Sequence, residues 1–169
     1  MKQLISSLAF LAAWSISAAL AQVPVAPNPD HESVLQSKDP QLAQNKRLVY
    51  DFWREVFEAA RMDLAPKYMA ETYIQHNPLA PTGRQAFIDF FSRIRKPAPI
   101  EARVKVPLVA ILADGDLVML AFAREYPEPQ DPTKKYTSTW FDMFRIADGK
   151  IAEHWDPAIK VAKPTTSGS

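Results

Sequence analysis

The sequence predicts an α+β domain, with three helices in the first half packed on one face of a mainly antiparallel sheet formed by the second half. Three observations carry this prediction. Apolar residues recur at helical spacing between Val49 and Ala60 and again between Phe87 and Ile94. From Glu101 onward the spacing changes to that of strands. Asp-Gly pairs at 114–115 and 148–149 each separate two apolar runs, which is a hairpin signal.

Residues 1–21 read as a signal peptide: Lys2 is followed by the apolar run Leu4–Leu20, closing on Ala19-Leu20-Ala21 before Gln22. The expected location is periplasmic or secreted, with no membrane association once the leader is removed. The absence of cysteine excludes disulfides and thiolate chemistry. Losing Lys2 with the leader leaves 19 basic against 19 acidic residues, and no basic stripe suggests nucleic acid.

Residues 22–38, with Pro24, Pro27 and Pro29, are expected to be a linker that packs on nothing, and His31 within it to be solvated. The domain is assigned to 39–160. Asp39-Pro40 supplies an N-cap and a first-turn proline, and Val49, Phe52, Trp53, Val56 and Ala60 form one apolar face. A shorter helix is expected over 63–70, then an extended stretch over 71–78. Thr82 and Gln85 have capping-box spacing for a third helix ending before Pro97. Strands are expected over 102–112 and 117–126, then a loop over 127–132, where three prolines argue against a ladder. The last hairpin runs from Ser138 to Asp156, and 161–169 read as a disordered tail.

Register in that hairpin decides the chemistry. A two-residue Asp148-Gly149 turn places Asp142 opposite Trp155. A three-residue loop with a bulge, favoured because Ala147 then avoids positive φ, places Asp142 opposite His154 and Trp140 opposite Asp156. Either way both sheet faces are rich in apolar residues. The face carrying Phe141, Met143, Ile151 and Trp155 is expected to be covered by a second copy, making a homodimer.

Three strings, Tyr73-Ile74-Gln75-His76-Asn77-Pro78, Trp140–Arg145 and Asp148–Asp156, resemble the SnoaL-like branch of the nuclear transport factor 2-like superfamily, which includes polyketide cyclases, ketosteroid isomerases and limonene epoxide hydrolases. The resemblance implies a cone-shaped barrel with a curved sheet around a mostly apolar pocket, commonly dimeric. By the same likeness Asp142 takes the place of the strand acid that serves as acid/base, His154 and Asp156 the polar pair of the final strand, and His76 with Asn77 the polar end of the early strand. A further histidine often found in the branch is absent from Leu117–Ala123.

The expected catalytic residues are therefore Asp142, His154 and His76, with Asp142 abstracting a proton alpha to a carbonyl and a histidine stabilising the developing oxyanion. The bland alternative is an ordinary cross-strand Asp–His pair. Asn77, Trp140, Asp156, Tyr73 and Trp53 are the expected substrate-binding residues, the aromatic ones serving core as well as lining. The histidines and aspartates share no short ligand spacing, so neither metal nor other cofactor is expected. The expected activity is that of a cofactor-independent isomerase, cyclase or lyase on a small apolar carbonyl or aromatic compound. An exported small-molecule-binding module without turnover is the alternative. Epoxide hydrolysis, with Asp156 and Asn77 positioning water, is a third possibility.

Overall fold

The structure is a computed structural model that describes residues 22–161; the leader expected at 1–21 and nearly all of the expected tail lie outside the described residues. It is an α+β fold whose five strands form a curved, unclosed sheet in the order β1-β5-β4-β3-β2, with the helices on one face. Among the described residues no helix is long and apolar enough to cross a membrane.

Helix α1 (His31–Leu35) precedes the long helix α2 (Pro40–Phe52). The Asp39 side chain caps α2 by accepting from the amides of Gln41 and Leu42. The helix then widens into a π-helical turn over Trp53–Glu58, whose end shows in the Ala59 amide reaching back to the Arg54 carbonyl. Val49, Phe52, Trp53 and Val56 are all buried, as the spacing predicts, and pack in one core with Phe122 and Phe144 of the sheet. A 3₁₀ turn (Met62–Leu64) and the short α3 (Ala65–Tyr68) lead into β1 (Met69–Gln75). Helix α4 (Arg84–Ile94) starts after Gly83, not from a capping box. The Thr82 hydroxyl instead accepts from the Gln75 amide and donates to the Gln75 carbonyl, tying the loop to β1.

The sheet continues with β2 (Leu108–Asp114), β3 (Leu117–Glu128), β4 (Asp131–Ala147) and β5 (Lys150–Trp155). Two expectations are corrected here. The loop expected over 127–132 shrinks to a turn at 129–130: Pro127 pairs with Lys135, and β3 and β4 run on as a long ribbon past the last β2 partner, Phe122. A two-stranded ribbon has an open edge on which a proline's missing N–H breaks no ladder. The last hairpin turns on two residues, not three. Ala147 pairs with Lys150, while Asp148 (φ 49°) and Gly149 (φ 69°) both occupy the left-handed region of a primed turn. A bulge follows, because Ile146 pairs with Ile151 but Arg145 pairs with Glu153, leaving Ala152 unmatched.

Residues 22–38 do not lie free either. The Asn28 amide donates to the Leu108 carbonyl, and Val25 and Gln22 bond to Thr137 of β4. His31 is 9% exposed, with Nδ1 2.8 Å from the Tyr50 hydroxyl, whose oxygen also accepts from the Val104 amide. What the sequence shows as a proline-rich stretch is held by backbone bonds that composition does not reveal.

Burial, aided by nearby Arg103, holds the His31 imidazole below the usual histidine range. The folded protein thus binds this proton less readily than the unfolded chain. His31 destabilises the fold progressively as pH falls below the unfolded value near 6.5 and has no such effect above it. Denaturation midpoints measured from pH 7 to pH 5 should fall more steeply for the wild type than for His31→Gln; equal slopes would show that His31 contributes nothing to the acid sensitivity.

Candidate functional site

Alternation along the strands decides which side chains reach the helical face. On β4, Asp142 and Phe144 point inward between Phe141 and Met143, which point out; on β5, His154 points inward between Glu153 and Trp155. His154 is paired with Phe144, and Met143 with Trp155. Asp142 therefore meets His154 diagonally, not directly across as the three-residue loop implied. The contact forms nonetheless: His154 Nε2 lies 3.0 Å from Asp142 Oδ1, and both residues are buried.

The second imidazole nitrogen is held from β1. Parallel pairing of β1 with β5 sets Gln75 beside His154, and His154 Nδ1 lies 2.8 Å from Gln75 Oε1. The Asn77 amide donates to the same atom at 3.1 Å, so that atom is an acceptor and Nδ1 carries the proton. Gln75 Nε2 in turn donates to the Tyr73 hydroxyl at 2.9 Å. The protonation of Nδ1 leaves a single proton to be shared between His154 Nε2 and Asp142 Oδ1, giving either an imidazolium–carboxylate or an imidazole–carboxylic acid pair. Asp156 closes the group: Oδ2 accepts from Asn77 Nδ2 at 2.6 Å and Oδ1 from the Ala158 amide at 2.9 Å.

These groups border a cavity of about 80 Å³ whose other walls are apolar and aromatic, among them Phe52, Trp53, Phe57, Phe87 and Phe91. Asp142 Oδ2 and the Trp53 indole Nε1 are buried without a hydrogen-bond partner. Burial, reinforced by the charges of Asp156 and Asp142, pushes the Tyr73 phenol far up, so it keeps its proton at any ordinary pH. A larger hollow of about 560 Å³ opens to solvent between residues 27–31 and 101–108, but it has no buried acid–base pair.

Of the expected site residues, Asp142, His154, Asn77, Asp156, Tyr73 and Trp53 come together at this cavity. Two do not. His76 falls on the opposite sheet face, because the two-residue period that turns Gln75 inward turns His76 outward. There its ring stacks on Trp155, with centroids 4.6 Å apart, and Nε2 lies 2.9 Å from Glu153 Oε2. Trp140 lies beyond the end of β5 on the β3–β4 ribbon, half-buried, with the Arg124 guanidinium 4.0 Å above its ring. The residue that sequence reasoning missed is Gln75. Its place two positions after Tyr73 in an extended stretch is the signal that would have put it on the same face.

The ligand atoms of Asp142, His154 and Asp156 all lie within 4.8 Å of one another, close enough to be weighed as a cation site. Within this set both Asp156 oxygens accept from nitrogen and His154 Nε2 is engaged by Asp142, while Asp142 Oδ2 has no partner.

Residues 49–154 match the family model described as SnoaL-like domain. No curated protein matches the chain. Among solved structures, a provisionally assigned polyketide cyclase from Acidithiobacillus ferrooxidans is 17% identical over 72% of this chain and 89% of its own, with a TM-score of 0.49. A provisionally assigned SnoaL-like polyketide cyclase from Jannaschia sp. CCS1 is 18% identical over 72% of this chain and 91% of its own, with a TM-score of 0.49. An LEH-like epoxide hydrolase from M. tuberculosis is 16% identical over 67% of this chain and 80% of its own, with a TM-score of 0.47.

Proposed function

Because the chain belongs to the SnoaL-like domain family, we propose that it is a cofactor-independent acid–base enzyme, an isomerase, cyclase or lyase, acting on a small carbonyl compound in the cavity beside Asp142. One observation carries the reading: Asp142 has one carboxylate oxygen held by His154 while the other is buried, unpartnered and set among apolar walls. A carboxylate so arranged keeps a fixed orientation through Oδ1 and has Oδ2 free to take a proton. Asp142 Oδ2 removes the proton alpha to the carbonyl, the C–H electron pair becomes the carbon–carbon double bond of an enolate, and the carbonyl π pair moves onto oxygen. Return of the proton, or attack of the enolate on a second electrophilic carbon, completes the reaction. His154 positions the base and balances its charge, and Gln75 fixes the imidazole through Nδ1. His76 has no part in this scheme.

The direct test is incorporation of deuterium alpha to the carbonyl of small ketones and aldehydes in heavy water, followed by NMR. Exchange well above the buffer rate supports the reading. Ligands that bind beside Asp142 with no exchange would make the protein a small-molecule-binding module instead.

We also propose that the outer sheet face pairs with a second copy. Leu112, Met119, Met143 and Trp155 form one continuous row across four strands, with Phe141 beside it 44% exposed and Leu112 56% exposed. Sedimentation should show a dimer that Phe141→Asp converts to a monomer. A monomeric wild type at tens of micromolar would remove the proposal.

A further inference from the structure

Trp53, one of the residues around the cavity beside Asp142, carries a polar hydrogen that nothing in the protein accepts. The Trp53 Nε1–H is buried with no acceptor, and Trp53 borders the cavity together with Asp142. Buried donors are rarely left unmade, and one that is left asks for an explanation. We infer that Trp53 Nε1–H is the hydrogen-bond donor to the substrate's carbonyl oxygen, and that the site accepts small uncharged carbonyl compounds. The binding contact stands by itself; only its role in turnover rests on the acid–base reading above.

The indole is fixed in place. Its ring lies 4.7 Å from Phe122 and 4.5 Å from Phe57, both tilted against it, and 6.5 Å from Phe144 edge-on. Trp53 is also the first residue of the π-helical turn, a local widening found often at functional sites. Most competing donors around the cavity are engaged. Both His154 nitrogens are engaged, Gln75 Nε2 donates to Tyr73, and Asn77 Nδ2 donates to Asp156. The Tyr73 hydroxyl, whose oxygen accepts from Gln75, is the other group here with a proton to give, and Tyr73→Phe is the control for it.

Charge and size define the ligand class. The walls carry Asp142 and Asp156 but neither lysine nor arginine, and His154 balances only Asp142, so the charge of Asp156 is left to repel an anionic substrate. About 80 Å³ leaves room for a compound of a few heavy atoms. During proton abstraction by Asp142 Oδ2, negative charge gathers on the carbonyl oxygen, where a preoriented N–H in an apolar surround is most effective.

The test uses cyclopentanone, with cyclopentane as a control of similar shape but no oxygen. The indole N–H signal that disappears in Trp53→Phe identifies Trp53 in the NMR spectrum. Cyclopentanone should move that signal and cyclopentane should not. Trp53→Phe should weaken cyclopentanone binding by about 2- to 10-fold and slow alpha-deuteration by roughly 100-fold or more. If Trp53→Phe does not fold, Trp14→Phe, Trp140→Phe and Trp155→Phe assign the signal by subtraction, and the wild-type titration decides. An unmoved signal, or one moved equally by both compounds, overturns the inference. Deuteration that persists at the wild-type rate in Trp53→Phe but is lost in Asp142→Asn also overturns it and leaves the acid–base reading standing. A signal moved by the ketone alone, with no deuteration in any variant, upholds the contact and overturns the acid–base reading.

Discussion

Replacing Asp142 with asparagine is expected to lower the rate of alpha-deuteration by about 100-fold or more, the scale on which a positioned general base contributes, while ligand binding changes little. Asparagine has nearly the same volume and can turn its Nδ2 to donate to His154 Nε2, the bare nitrogen of an imidazole protonated at Nδ1, so the contact that seats the ring survives. What it lacks is a second oxygen able to take a proton, and Asp142 Oδ2 is the atom left without a partner. The loss should therefore appear in turnover and not in affinity for a ketone. Comparing exchange rates by NMR, with binding and thermal unfolding followed on the same samples, separates the cases. A variant that exchanges within a few-fold of wild type would show that Asp142 is only half of a buried polar pair. A variant that neither binds nor melts cooperatively would place its role in folding.

The fold was legible because period and turn chemistry agree. Apolar spacing put Val49, Phe52, Trp53 and Val56 inside, and all four are buried. The Asp142–His154 contact was legible for a subtler reason. The turn is one residue shorter than the sequence suggested, and the bulge at Ala152 moves the register one further step. The two shifts together amount to an even number, so beyond the bulge Glu153, His154 and Trp155 stay on their predicted faces although their partners across the ladder change. Ile151, ahead of the bulge, feels only the first shift and is buried in the core instead of on the outer face. A single shift would have sent His154 outward. The same parity removed His76 from the site: with Gln75 turned to the cavity, its neighbour must leave it. Gln75 went unnoticed because an amide looks chemically inert beside a histidine in the same motif. Only the parallel β1–β5 pairing reveals that it holds the imidazole. The packing of residues 22–38 was hidden altogether, since it depends on backbone groups such as the Asn28 amide.

Truncating Phe144 to alanine is expected to cost about 3–5 kcal/mol of stability, the range for removing a buried phenylalanine. Phe144 is 2% exposed, and its ring lies 4.7 Å from His154, 6.0 Å from Phe52 and 6.5 Å from Trp53. It thus joins the sheet to the long helix and backs the imidazole at once. The cavity left behind cannot close readily, because Phe52 and Trp53 are held by the helix and Phe122 by the sheet. Phe141 supplies the control: it is the same residue type, three positions earlier on the same strand, and 44% exposed on the outer face. Its truncation should cost no more than about 1 kcal/mol in dilute protein, as for other partly exposed positions. Urea denaturation of both variants gives the comparison. Equal losses at all concentrations would contradict the division of β4 into inner and outer faces, and with it the placement of Asp142. A Phe141 effect that grows with protein concentration would instead report the proposed dimer, because an interface contributes to stability only where the copies meet.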